Sequence, residues 1–177
     1  MIFILLAAFF TGILSKLTDL IEEHGMKLSV WISRVSGIIY GFLIAYVISV
    51  SPDLSALWIG NVAGLILTGK IDSLGHYFGM ASMLIGLIIL GIAEINFLYL
   101  IVFLVIVVAE ELINNKIVDA GKIKNKLFHQ VMEFRPLLEI TAFIVSVITG
   151  KWIIWFGILA FDVAYILMDK LQKKFNF

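Results

Sequence analysis

The chain has 177 residues, of which 62% are hydrophobic and 15% are charged, whereas soluble domains average roughly 45–50% and 25%. This composition predicts a protein that lies in lipid, and a formal net charge of zero gives no sign of nucleic acid as a partner. The absence of cysteine excludes disulfides, thiolate metal sites and thiol nucleophiles.

Apolar runs separated by short polar connections predict an all-α fold, a polytopic transmembrane bundle of about seven helices that forms a single domain over 1–177. We expect these helices near 1–18, 30–50, 54–69, 74–93, 95–110, 137–149 and 152–168, with one long polar loop over 111–136. The first run has neither a basic start nor a small-residue cleavage site, so we interpret it as a retained helix rather than a signal peptide.

The basic residues predict the orientation of the bundle. With seven spans, twelve of the thirteen Lys and Arg residues fall on one side, and only Lys151 falls on the other. Basic residues are enriched in cytoplasmic loops. We therefore expect a multi-pass protein of the cell membrane with its N-terminus outside and its C-terminus in the cytoplasm.

A faint internal repeat accompanies this pattern. A shift of 101 residues aligns Arg34 with Arg135 and Asn61-Val62-Ala63 with Asp162-Val163-Ala164. An odd linking helix between two three-helix units would give both units the same orientation, a 3+1+3 plan with parallel repeats. Chance alignment of two apolar hairpins explains the same identities.

Acidic residues and histidines gather at the predicted cytoplasmic helix ends. Such carboxylates gain nothing from an anionic leaflet, so their grouping favours a divalent cation that bridges to a phosphate. The candidate metal ligands are Asp19, Glu23, Asp72, Glu110 and Glu111, together with His76. The alternative is that helix ends meet water there and are charged for that reason.

Asp162 stands out because it falls near the middle of the seventh helix, where an ionised carboxylate is costly. Asn61 takes the equivalent place in the third helix under the repeat, so the two side chains could face each other across a central cavity. The alternative is a protonated Asp162 that hydrogen-bonds to Tyr165 or Asn61 and so stabilises helix packing.

Two acidic stretches give the chain a partial resemblance to a known family. The stretch Gly60-Asn61-Val62, followed by Asp72, resembles the acidic run at the end of helix 2 in UbiA-type membrane prenyltransferases. The stretch from Glu111 to Asp119 is similar to the family's second acidic motif on a cytoplasmic loop. Arg34 and the pair Arg135-Pro136 begin helices in a way similar to an Arg-Pro pair at that family's N-terminus.

The resemblance implies magnesium-dependent transfer of an isoprenyl chain from its diphosphate at the cytoplasmic face. The catalytic candidates are Asp72, His76, Glu111 and Asp119, with Mg²⁺ as the expected cofactor. Lys70, Arg34 or Arg135 would bind phosphate, since arginine matches phosphate oxygens in pairs. Apolar helices would surround the lipid tail of the substrate.

Two other functions stay open. One is a small transporter or channel of the 3+1+3 type that binds its substrate between Asn61 and Asp162. The other is a non-catalytic membrane subunit whose cytoplasmic loop, residues 112–135, docks a partner. The enzyme hypothesis is favoured because the polar residues gather at one face instead of forming a path across the membrane.

Overall fold

The computed structural model describes residues 1–115 and 136–175, and within these ranges the regular elements are helices, with no strands. The all-α prediction is therefore confirmed for this part of the chain. The seven helices are α1 (Ile2–Glu22), α2 (Val30–Val50), α3 (Pro52–Leu67), α4 (Leu74–Leu90), α5 (Phe97–Ile113), α6 (Pro136–Thr149) and α7 (Ile153–Phe175).

The helices and the predicted apolar runs share their order, and α2 has the predicted bounds of 30–50. The largest differences lie at two C-terminal ends. Helix α1 continues to Glu22 instead of ending near 18, and α7 continues to Phe175 instead of ending near 168. Lys16 and Asp19 interrupt the apolar run of α1 but do not end the helix, because both are buried against neighbouring helices.

Smaller differences follow from local capping. Helix α4 ends at Leu90 rather than near 93, because Gly91 leaves the helix with a φ of 81°, a conformation that favours glycine. Helix α5 extends to Ile113 rather than 110. Helix α3 starts at Pro52, where the missing proline N–H costs nothing, rather than at 54, and it ends at Leu67 rather than 69.

Contacts between helix termini define an up-and-down bundle with two opposite ends. One of them, which we call the polar end, consists of the end of α1, the start of α4, the end of α5 and the start of α6. Gly75 donates its backbone N–H to Glu22 at 2.9 Å, and Leu137 donates its own to Glu110 at 2.6 Å. The nitrogen of Lys16 lies 3.1 Å from the carboxylate of Asp169, which brings the C-terminal half of α7 to this end.

The opposite end, which we call the turn end, consists of three short connections. Ala93 donates its N–H to the carbonyl of Ile48 at 3.2 Å, and the Ser55 hydroxyl donates to the carbonyl of Glu94 at 2.9 Å. Lys151 pairs with Asp53 across the starts of α3 and α7. The connections near 51–53, 94–96 and 150–151 therefore lie together.

Close packing of α2 on α4 positions the polar side chains between them. A Cβ atom added at Gly37 would overlap the carbonyl oxygen of Gly75, and one added at Gly41 would overlap that of Gly79. Small residues at this spacing allow two helix backbones to approach closely. As a result, Tyr40 packs its ring directly on Gly79.

Helices α1 and α2 are each 21 residues long and apolar enough to cross a membrane. Helices α3, α4 and α6 are also apolar but shorter, with 14 to 17 residues. Among the residues that the structure describes, two N-terminal helices thus have the length and composition of membrane spans.

Candidate functional site

A buried polar cluster joins four helices at the polar end. Asp19, in the last turns of α1, is 8% exposed. One of its carboxylate oxygens lies 2.6 Å from Nε2 of His76 in the first turn of α4. The other accepts a hydrogen bond from the hydroxyl of Tyr165 on α7. The carboxylate therefore fixes α1, α4 and α7 to one another.

His76 is held on its other side by Tyr40 of α2. The hydroxyl of Tyr40 lies 2.7 Å from Nδ1 of the ring, and the tyrosine itself is 7% exposed. A hydroxyl can donate or accept a hydrogen bond, so Tyr40 can partner either tautomer of the imidazole. The 2.6 Å contact with Asp19 is a hydrogen bond when Nε2 carries the proton, and Nδ1 then accepts from the Tyr40 hydroxyl. If a cation replaced the proton on Nε2, Nδ1–H would instead donate to Tyr40.

Glu23, at the C-terminal end of α1, completes a set of possible cation ligands. One ligand atom each from Asp19, Glu23 and His76 lies within 4.8 Å of the others. Two carboxylates and one imidazole suit a divalent cation, and a ligating histidine usually donates its second ring N–H to a fixed partner. Tyr40 supplies such a partner, so the donor set fits a cation.

The charge balance at Glu23 points the same way. Desolvation by the surrounding helices raises the pKa of Glu23, and the nearby carboxylates of Asp19 and Asp72 raise it further. The carboxyl groups of Asp19, Glu23 and Asp72 thus form a region whose negative charge a divalent cation would neutralise. Asp72 is exposed in the loop before α4, and its carboxylate lies close enough to Glu23 to act on it electrostatically.

Glu22 has a supporting role that the sequence did not reveal. Its carboxylate accepts hydrogen bonds from the backbone N–H of Gly75 and from the hydroxyl of Ser33. It therefore caps the first turn of α4, whose free N–H groups favour a negative charge. Because α4 also contains His76, this cap fixes the height of the histidine against α1.

No protein-family model, curated protein or solved structure matches this chain.

The other predicted metal ligands at the polar end lie in different contacts. Glu110 accepts hydrogen bonds from the N–H groups of Leu137 and Leu138 and so caps α6. Glu111, which is 2% exposed, lies 3.6 Å from the nitrogen of Lys70. Among the described residues, these two glutamates are not within the set formed by Asp19, Glu23 and His76.

The predicted phosphate-binding and central residues are distributed over the bundle. Arg34 is half-buried in the first turns of α2, with its guanidinium 4.7 Å from the ring centre of Trp31. Asn61 is half-buried on α3. Asp162 is half-buried on α7, where its electrostatic neighbours are the carboxylates of Glu139 and Glu110. Asp119 and Arg135 lie outside the described residues.

Sequence reasoning missed Tyr40 as a functional candidate, and it considered Tyr165 only as a partner of Asp162, not of Asp19. Both are polar aromatic residues inside otherwise apolar helices, where a buried hydroxyl needs a partner. The need of a buried hydroxyl for a partner could have marked both tyrosines as candidates. The partner of Tyr165 is Asp19, 146 residues away in sequence, and no local pattern identifies such a pair.

Proposed function

We propose that this chain is a multi-pass protein of the cell membrane whose cytoplasmic end binds a divalent cation and acts on an isoprenoid or lipid phosphate. The observation on which the proposal depends is the set of Asp19, Glu23 and His76 at the polar end, with Tyr40 holding the histidine. Its N-terminus would be outside and its C-terminus in the cytoplasm.

The distribution of polarity supports a membrane location. Large apolar side chains cover the outside of the described bundle, and Ile88 and Ile148 are 84% and 77% exposed. Lys16, Glu110 and Glu111 are buried instead. A protein surrounded by water rarely exposes such extensive apolar surface, whereas a bundle in lipid exposes it on all sides.

Tryptophan side chains support two membrane boundaries. Trp31, at the start of α2, is 67% exposed, and Trp152, just before α7, is 43% exposed at the other end of the bundle. Tryptophan is enriched at both membrane interfaces. Helix α2 has 21 residues, which at 1.5 Å per residue corresponds to about 30 Å, the thickness of a hydrocarbon core.

The proposed cation would be held by Asp19, Glu23 and His76, and Mg²⁺ is the cation that a diphosphate substrate implies. Bound there, it would neutralise charge on the phosphate oxygens of a leaving diphosphate. Tyr40 would orient the imidazole, and Tyr165 would hold the second oxygen of Asp19. The imidazole makes Mn²⁺ a useful probe as well, since Mn²⁺ accepts both nitrogen and oxygen ligands.

Arg34 supports the substrate class. Its Nε atom is buried and has no hydrogen-bond partner among the described residues. Gly37 lies opposite Gly75, so Arg34, one turn earlier, lies level with the segment that leads from Asp72 into α4. A guanidinium at this level suits a phosphate oxygen. The resemblance to UbiA-type prenyltransferases supplies the more specific proposal of an isoprenyl diphosphate.

The test is thermal unfolding of the purified protein in lipid nanodiscs, with Mg²⁺ or Mn²⁺ and with geranylgeranyl diphosphate. We expect each cation to raise the unfolding temperature and the diphosphate to raise it further only when the cation is present. Asp19→Asn should abolish both shifts. Asp53→Asn, which removes one carboxylate at the turn end, is the matched control and should keep them.

Two outcomes would contradict the proposal. One is an unfolding temperature that neither cation changes. The other is a shift that Asp19→Asn and Asp53→Asn reduce equally, since it would then arise from general charge screening rather than from a site.

A second candidate function is supported by the position of Asp162. This carboxylate lies within the bundle, and its electrostatic neighbours Glu139 and Glu110 are on α6 and α5. Carboxylates inside a membrane mark ion and proton pathways in many transporters. Asp162→Asn in a liposome flux assay separates the two functions, because a carrier would lose flux while cation binding at Asp19 stayed unchanged.

A further inference from the structure

The outer surface of α7 contains a shallow groove of about 280 Å³, lined by Val163, Ile166, Leu167 and Lys170. We call this surface the α7 groove. Its residues follow the spacing i, i+3, i+4 and i+7, so they form one stripe along the helix. The stripe is apolar until it reaches Lys170.

The α7 groove faces away from the bundle. The opposite side of α7 packs on α1, where Phe161 and Ala164 contact Gly12 and Asp169 pairs with Lys16. In contrast, Val163 and Leu167 are 50% and 43% exposed. No described helix therefore covers this stripe at the level of Val163 and Leu167.

Lys170 gives the groove a charge at a defined height. Asp169 is already paired with Lys16 and Lys173, and Lys170 forms no ion pair with any residue in the described ranges. It lies seven residues after Val163, which corresponds to about 10 Å along the helix. Lys174 is one further turn along the same stripe.

We infer that the α7 groove binds an anionic phospholipid, with the first part of an acyl chain against Val163, Ile166 and Leu167 and the phosphate at Lys170. This inference depends on the proposed membrane location. The apolar wall excludes a free phosphate as the ligand, and charge complementarity favours an anionic headgroup over a zwitterionic one. A basic residue near a membrane surface attracts anionic lipid by about 1 kcal/mol.

The test is native mass spectrometry of the full chain, released from detergent in the presence of phosphatidylglycerol or phosphatidylcholine. We expect the wild type to retain phosphatidylglycerol preferentially. Lys170→Gln should weaken that retention about fivefold, the equivalent of about 1 kcal/mol. Val163→Phe, which fills the groove without changing charge, should weaken it as well.

Lys27→Gln is the matched control, because Lys27 is an exposed lysine at the same end of the bundle and lies outside the groove. It should leave retention unchanged. Equal losses in Lys27→Gln and Lys170→Gln, equal retention of both lipids, or a lipid-free dimer would overturn the inference. Thermal shifts with Mn²⁺ in the same samples report on the cation site separately, so failure of one proposal does not imply failure of the other.

Discussion

Replacing Tyr40 with phenylalanine removes a single hydroxyl from the candidate cation site. That hydroxyl lies 2.7 Å from Nδ1 of His76, while the tyrosine ring is buried against Gly79 and should stay in place. Loss of a partner that orients a metal ligand typically weakens metal binding by about 10–100-fold, or roughly 1.4–2.7 kcal/mol. Folding should survive, because leaving Nδ1 of His76 without its partner costs about 1–3 kcal/mol.

Isothermal titration of Mn²⁺ into the protein in nanodiscs measures this effect. Tyr46→Phe is the matched control, since Tyr46 is a half-buried tyrosine on the same helix outside the polar cluster. We expect Tyr40→Phe to bind Mn²⁺ at least tenfold more weakly than wild type and Tyr46→Phe to bind it normally. Wild-type affinity in Tyr40→Phe would refute the proposed orientation of His76.

Three further predictions concern charge, topology and packing. The pKa of Glu23 is raised in the folded state, so ionising this carboxyl group costs stability once the pH rises above its usual pKa. Glu23→Gln should therefore raise the metal-free unfolding temperature at pH 7 but not at pH 4. An equal gain at both pH values would contradict ionisation of Glu23 as the cause. The chain has no cysteine, so Lys27→Cys and Lys151→Cys each create a single thiol. An impermeant maleimide should label only Lys151→Cys from outside the cell. Labelling of both variants would refute the proposed orientation in the membrane. Gly79→Ala should lower the free energy of unfolding by about 1–3 kcal/mol, because the added Cβ would overlap the Tyr40 ring. It should also weaken Mn²⁺ binding, because Tyr40 would shift away from His76. Unchanged Mn²⁺ affinity would show that the position of Tyr40 does not control that of His76.

The helices could be predicted from sequence because apolar runs and short polar breaks follow directly from local composition. Helix α2 has the predicted bounds, since Ser29 and Ser51 flank a mainly apolar run in which Arg34 is the one charged residue. The end of α1 could not be predicted in this way. Lys16 and Asp19 interrupt the apolar pattern, and only partners on α4 and α7 explain why the helix continues through them.

The candidate site could be predicted only in part for the same reason. Asp19, Glu23 and His76 were expected at one face, and the structure brings them together. Which of the many acidic residues meet depends on helix packing, which no local pattern specifies. Glu110 is used as a cap for α6, and Glu111 is paired with Lys70. Tyr40 reaches His76 because glycines let α2 and α4 approach closely.

The cation site can be tested most directly by pulsed electron paramagnetic resonance of Mn²⁺ bound to the purified protein. We expect one bound Mn²⁺ per chain with a coupling to an imidazole nitrogen, and we expect His76→Gln to lose that coupling. Bound Mn²⁺ without any nitrogen coupling, or the same coupling in His76→Gln, would contradict a site built on Asp19, Glu23 and His76.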